Sequence, residues 1–271
     1  MKENRKYLYL IVTDYPYGIG EPFLETELFI IAEHFKKIYL IIPESHRVDH
    51  SFRRFKLPHN AELIELKISA GKSDKILALS QSFDEVNRLE RHYINTSYHQ
   101  KFNVFHFKTL IGFRSMANRF EAEFKAILKK HNHPVSEVTL YTYWFYYVTA
   151  ALAKIKKDNP EYRVVTRIHG WDCFFERSVG CYLPLRPWVA KQIDGLFAIS
   201  EAGKQYTINK LPGVEKSKIR RSYLGIDALL IPEIKVSSTN TLHIVSLAFI
   251  DPVKRLDRII EALELIEDVQ V

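Results

Sequence analysis

Cysteine is almost missing from this chain: Cys173 and Cys181 alone occur in 271 residues, with no CxxC pair and no His-rich companion. A thiolate zinc site is therefore not expected, the metal set is none, and a reducing, cytoplasmic setting is the default. Long apolar runs are lacking as well. No stretch approaches the roughly 18 apolar residues that a membrane span requires, and YLYLIVT (7–13), without a small-residue cleavage site after it, reads as a first buried strand. Glycine is sparse at 10 residues, and no G-x-x-x-x-G-K-[ST] phosphate loop or G-x-S-x-G elbow is formed from them. Repeats and low-complexity segments do not occur. A hydrophobic content of 46% is ample for a packed core, which excludes disorder.

Positive charge is what the sequence has in excess. The formal net charge of +7 favours an anionic partner, which could be nucleic acid, a membrane surface or a phosphorylated small molecule. No DNA or RNA module signature accompanies it, so nucleic acid is not an expected partner.

Six apolar runs look like buried parallel strands: 7–13, 37–43, 61–68, 138–144, 162–168 and 195–200. Helical patterns between most of them imply an α/β fold with helices on both sheet faces. This first domain extends over 1–226. Residues 227–240, with Pro, Ser and Asn and no clear period, read as a linker. A strand TLHIVSLAF (241–249) and an amphipathic helix then begin a second domain within 241–271. One βα unit cannot enclose a core, so the sequence is expected to be part of a longer two-domain protein.

An insertion at 83–131 carries a helical stripe of Phe113, Met116, Phe120, Phe124, Ile127 and Leu128. From Arg88 to His131 nine Lys or Arg face three Glu. A solvated basic face explains that surplus; so does loose contact with anionic lipid, with Phe102, Phe105, Phe107 and Phe113 interleaved.

Three constellations could carry chemistry. In TDYPYGIGEPFLETEL (13–28), Gly18 and Gly20 stand where the first strand hands over to a helix, a place where glycine permits positive φ and close approach of a ligand. Glu21 there either acts on a substrate or complements the helix dipole, as Glu25 and Glu27 do. The G-x-G-E spacing lacks the third glycine of a dinucleotide fingerprint, position 23 being Phe. In RIHGWDCFFER (167–177), His169, Gly170 and Asp172 follow a buried strand at its carboxyl end, where open α/β sheets bind ligands. In FIDPVKRLDRIIEAL (249–263), Pro252 suits a helix start, and Lys254 and Arg255 are first-turn cations that a diphosphate would accommodate.

Together with YTYWFYYVTAALAKI, YLPLRPWVAKQIDGLFAISEAGKQYTI and SYLGID, these stretches resemble, in order, the family-4 retaining glycosyltransferases of the GT-B fold, especially bacterial enzymes of capsule, exopolysaccharide or lipopolysaccharide synthesis. The resemblance implies two Rossmann-like domains, an acceptor-side first half, and sugar transfer from a nucleotide-diphosphate sugar to a glycan or lipid-linked acceptor. It assigns the Gly18 to Glu21 loop to donor phosphates and acceptor, His169 with Asp172 beside it to the reaction centre, and Lys254 to the donor diphosphate, with Arg255 at a position that is often Gly or Arg. No cofactor is implied. Phe249 departs from a position that is often Arg, and the family's E-x7-E motif is absent from the sequence as far as Val271. A noncatalytic half that binds acceptor, membrane or a partner is the alternative; a GT-B sugar-nucleotide epimerase resembles the sequence less well.

Overall fold

The computed structural model describes residues 5–43, 54–225, 244–248 and 250–266. The chain divides into two units, residues 1–227 and 228–271.

Seven parallel strands build the first unit: β1 (Tyr7–Ile11), β2 (Lys37–Pro43), β3 (Ala61–Leu66), β4 (Val138–Thr142), β5 (Arg163–Ile168), β6 (Gly195–Ala198) and β7 (Ile219–Arg221). Their order across the sheet is β3-β2-β1-β4-β5-β6-β7. Six were legible as apolar runs. The seventh was not, because of its three residues only Ile219 is buried and the others are Arg220 and Arg221.

β1 shows why these runs lack alternation. Tyr9 and Ile11 face one core with Phe120 and Phe124, whereas Leu8, Leu10 and Val12 face a second core with Leu24 and Leu28. A central parallel strand is covered on both sides, so every position is apolar. The covering helices are α1 (Leu24–Ala32) on one face and α4 (Val104–His131), α5 (Tyr147–Asp158) and α6 (Arg186–Gln192) on the other. Helices α2 (Lys72–Ser80), α3 (Glu85–Thr96) and α7 (Glu201–Lys210) complete this unit.

The expected stripe of 113–128 lies on α4, with Phe120 and Phe124 fully buried and Phe113, Met116, Ile127 and Leu128 packed at the margin. Asn103 starts this helix by accepting the His106 amide at 3.2 Å. The surplus of positive charge there is not all free. Arg114 is buried and bonds Asp84 at 2.6 Å and Asn87 at 2.6 Å, Arg119 pairs with Glu123, and Lys125 pairs with Glu121 and Asp158.

In the second unit, residues 244–248 form no strand, contrary to the expectation for 241–249; positions 241–243 and 249 lie outside the described residues. A strand needs a neighbour to accept its backbone hydrogen bonds, and Val245 and Leu247 here are exposed. The helix begins at Leu256 rather than at Pro252: α8 (Leu256–Glu264) follows a 3-10 turn (Pro252–Lys254), and Arg255 between them has φ 51°. The expected linker, 227–240, lies outside the described residues.

Candidate functional site

The strand order reverses between β1 and β4, since β2 and β3 lie on one side of β1 and β4 to β7 on the other. At such a switch point the loops leaving the two central strands diverge and open a crevice outside their carboxyl ends. Gly18, Gly20 and Glu21 follow β1, Trp144 follows β4, and His169 and Asp172 follow β5.

Glu21 is buried and ties these loops together. Its Oε2 accepts the backbone N–H groups of Asp14 at 3.0 Å and Tyr15 at 2.9 Å, and its Oε1 accepts Thr13 N–H at 2.9 Å and the indole N–H of Trp144 at 2.6 Å. Burial raises its pKa, while the amides of Asp14, Thr13 and Tyr15 pull it down. The carboxylate thus ties the β1 loop to the end of β4. It lies before α1, not in its first turn as the dipole reading required. Glu27 also has a larger role than its position on a helix suggested: it accepts Arg167 at 2.7 Å and Tyr141 O–H at 3.0 Å, joining α1 to β5 and β4.

Neither Gly18 nor Gly20 has positive φ. Gly18 is glycine because the Asp14 side chain lies against it: a Cβ there would sit 1.9 Å from Asp14 Oδ2 and 2.8 Å from Asp14 Cβ. The loop therefore cradles its own carboxylate, and Oδ1 of Asp14 is buried without a hydrogen-bond partner. Gly18→Ala is expected to cost about 1–3 kcal/mol by overpacking, with most of that recovered in the Gly18→Ala/Asp14→Gly double variant. Additive losses in a melting-curve cycle would refute this account of Gly18.

Asp172 is likewise a builder. Buried to 1% exposure, it accepts Phe145 N–H at 2.8 Å and His169 N–H at 2.6 Å, binding the loops after β4 and β5 together. Behind it a chamber of ≈ 10 Å³ is lined by Phe145, Cys173, Arg186 and Tyr206, at the lower limit for one water molecule. Arg186 lies 4.0 Å above the Phe145 ring, and burial draws its guanidinium down to about 10.

His169 differs from both carboxylates. Its ring is buried, yet neither Nδ1 nor Nε2 has a hydrogen-bond partner. The imidazole lies 4.1 Å from the Trp144 ring and 4.8 Å from that of Tyr143. Trp144 in turn stacks on Trp171 at 5.4 Å, and Trp171 is 45% exposed. The His169 Nδ1 lies 4.0 Å from the Asp172 carboxylate, and the aromatic wall runs from this imidazole to solvent. Sequence reasoning passed over Trp144 and Asp14; the signal for Trp144 was an indole, with its one N–H donor, placed at a strand end beside a carboxylate-bearing loop.

Lys254 and Arg255 belong to the second unit. Both are exposed, Lys254 in the 3-10 turn and Arg255 beside Asp257 at 3.4 Å. Among the described residues, no group of three or more His, Cys, Asp or Glu could hold a metal ion.

No family model and no curated protein matches this chain. Solved structures do. The N-terminal domain of Candida albicans trehalose-6-phosphate phosphatase is similar at a TM-score of 0.51 and 14% identity, over 84% of this chain and 50% of that one. An α,α-trehalose-phosphate synthase (UDP-forming) from Burkholderia vietnamiensis matches at a TM-score of 0.45 and 9% identity, over 82% and 49% of the two chains. The likeness is one of fold, the Rossmann-like α/β layer found in GT-B glycosyltransferases. This chain spans about half the length of the structures it matches.

Proposed function

We propose that the chain is the acceptor-side half of a family-4 retaining glycosyltransferase, which transfers a hexosyl-type sugar from a nucleotide-diphosphate sugar to a glycan or lipid-linked acceptor in cell-surface polysaccharide synthesis. The observation that carries this reading is His169, a buried imidazole at the carboxyl end of β5 whose nitrogens make no hydrogen bond, with Nδ1 4.0 Å from the Asp172 carboxylate. A buried polar group without a partner costs about 1–3 kcal/mol, and a substrate hydroxyl or phosphate oxygen would remove that cost. His169 meets the substrate in this reading. Glu21 and Asp172 are positioning residues, because their oxygens already hold the loops on which His169 and Trp144 stand. The loop of Gly18 and Gly20 faces the acceptor and the donor phosphates. Lys254 and Arg255 supply positive charge to the departing diphosphate, where electrostatic stabilisation acts most strongly. The protein works in the cytoplasm at the inner face of the membrane.

By itself the 271-residue chain should turn over no nucleotide sugar. A protein extended through the reading frame past Val271 should release nucleoside diphosphate from at least one nucleotide sugar. His169→Ala in that protein should reduce turnover by about 10²–10³-fold with an unchanged melting temperature. Wild-type turnover by His169→Ala would remove the imidazole from the reaction centre, and failure of the extended protein to bind any nucleotide sugar would overturn the transferase reading itself.

A further inference from the structure

Between α3, α4, α5 and α6 the helices leave a cavity of ≈ 270 Å³ that is lined by none of Gly18, Gly20, Glu21, His169 and Asp172. Small residues on two helices make it: Ala117 of α4 and Ala150 of α5 both line the space, and both are buried. A larger side chain at either position would fill it. Val86 of α3, with Leu185 and Trp188 at the start of α6, completes an apolar floor.

The rim is polar and already organised. Gln81 Oε1 accepts Arg114 Nε at 3.1 Å and Asn118 Nδ2 at 3.2 Å, and Asn118 Oδ1 accepts Lys154 Nζ at 2.9 Å. Arg114 and Asn118 are each 7% exposed, so burial as well as bonding fixes these groups. Charge is cancelled in place: Arg114 is paired with Asp84 at 2.6 Å, Lys154 with Glu121, and Asp158 with Lys125 at 3.0 Å. Hydrogen-bonding capacity is not used up. Among the described residues, Asn118 donates one of its two amide hydrogens and Asp158 accepts with one of its two oxygens. Lys157, exposed at the rim, adds a further ammonium donor.

We propose that this cavity binds a pyranose ring, free or at the end of a glycan. Size excludes larger ligands, since ≈ 270 Å³ lies just under the roughly 300–1,000 Å³ of ordinary small-molecule sites and gives room for a single ring. Charge excludes ions. A phosphate or carboxylate would meet Asp84 and Asp158 beside the cations, and Arg114 and Lys154 already have acid partners. A wholly apolar ligand would desolvate the Asn118 amide and the Asp158 carboxylate without replacing their water. Hydroxyl groups both donate and accept, which suits a rim where both capacities remain. The ring's C–H face in turn matches the apolar floor of Trp188 and the two alanines. This binding is separate from the proposed reaction centre and is read without turnover, so its failure would leave the transferase reading where it stands.

The test follows the indole N–H signals of the three tryptophans by nuclear magnetic resonance of the isotope-labelled 271-residue chain. Trp188→Phe identifies the signal of Trp188. The methyl glycosides of glucose, galactose, mannose and N-acetylglucosamine, and the corresponding free sugars, are titrated in turn. At least one should shift the Trp188 signal saturably, with a dissociation constant on the order of 1–10 mM for so small a ligand. Shifts by glycosides would make the occupant a glycan end, and shifts by free sugars alone a monosaccharide. Ala117→Leu should abolish the shift at an unchanged or higher melting temperature, because it fills the cavity with hydrocarbon. Lys157→Met, at an exposed position where folding is not at risk, should weaken binding about fivefold. Absence of a saturable shift with every sugar would overturn the proposal, as would binding that both variants leave unchanged. A saturable shift by inorganic phosphate with none by any sugar would also overturn it, since the occupant would then be an anion.

Discussion

Glu21→Gln is expected to lower the melting temperature of the first unit by roughly 6–12 °C, corresponding to a loss of about 3 kcal/mol. Every donor around this carboxylate is an N–H group: three backbone amides of the β1 loop and the Trp144 indole. A glutamine amide has one accepting end. Whichever way it is turned, its NH2 group confronts amide donors that had an oxygen, and buried donors left unpaired carry their full desolvation cost. Because the indole of Trp144 packs on His169, the same variant should also disorder the aromatic wall, seen as a change in near-ultraviolet circular dichroism. Thermal unfolding followed by both signals is the check. An unchanged melting temperature with reduced turnover in the extended protein would instead give Glu21 direct action on a substrate, one of the two roles open in the sequence.

The second large effect is pH-dependent and comes from Glu90 of α3. This carboxyl is buried to 1% exposure, accepts Leu185 N–H at 2.9 Å and Tyr182 O–H at 3.0 Å with one oxygen, and has no hydrogen-bond partner for the other. Burial pushes it up to about 7 from 4.5, against the opposing pull of Leu185, Tyr182, Arg186 and Arg114. Between those two values the unfolded chain has released the proton and the folded chain has kept it, so stability falls as pH rises through this window. It levels off above about 7. A shift of this size corresponds to about 3 kcal/mol at 1.36 kcal/mol per unit. Glu90→Gln can keep both accepted bonds on its carbonyl oxygen and has no proton to lose. Relative to wild type, the variant should therefore gain about 3 kcal/mol of stability between pH 4.5 and pH 8, measured by urea denaturation across that range. A constant difference between the two proteins would show that Glu90 is ionised throughout.

Much of the fold was readable because central parallel strands must be apolar on both faces, which produced continuous runs such as YLYLI and KIYLII without needing any knowledge of neighbours. β7 escaped for the converse reason: an edge strand buries one residue and can be mostly arginine. The strand expected at 241–249 has the right composition, but composition cannot provide the adjacent backbone that turns an apolar run into a strand. At the site, position along the chain was informative, whereas hydrogen-bond partners were not legible. Gly18, Gly20, Glu21, His169 and Asp172 do all follow the carboxyl ends of β1 and β5, as their place after apolar runs implied.

The sequence by itself determined the α/β class, six of the seven strands, the main helix of the insertion and the loops in which polar residues gather, since these depend on local periodicity and on residues close along the chain. Tertiary structure decided which of those polar residues are spent on the scaffold. Glu21 and Asp172 look as reactive in the sequence as His169 does. Folding brings Trp144 to the first, at a separation of 123 residues, and Phe145 to the second, at 27, and leaves the imidazole without a hydrogen bond. Whether a polar side chain is satisfied depends on donors delivered by distant strands, and that delivery is a property of the sheet order, which no short stretch of sequence contains.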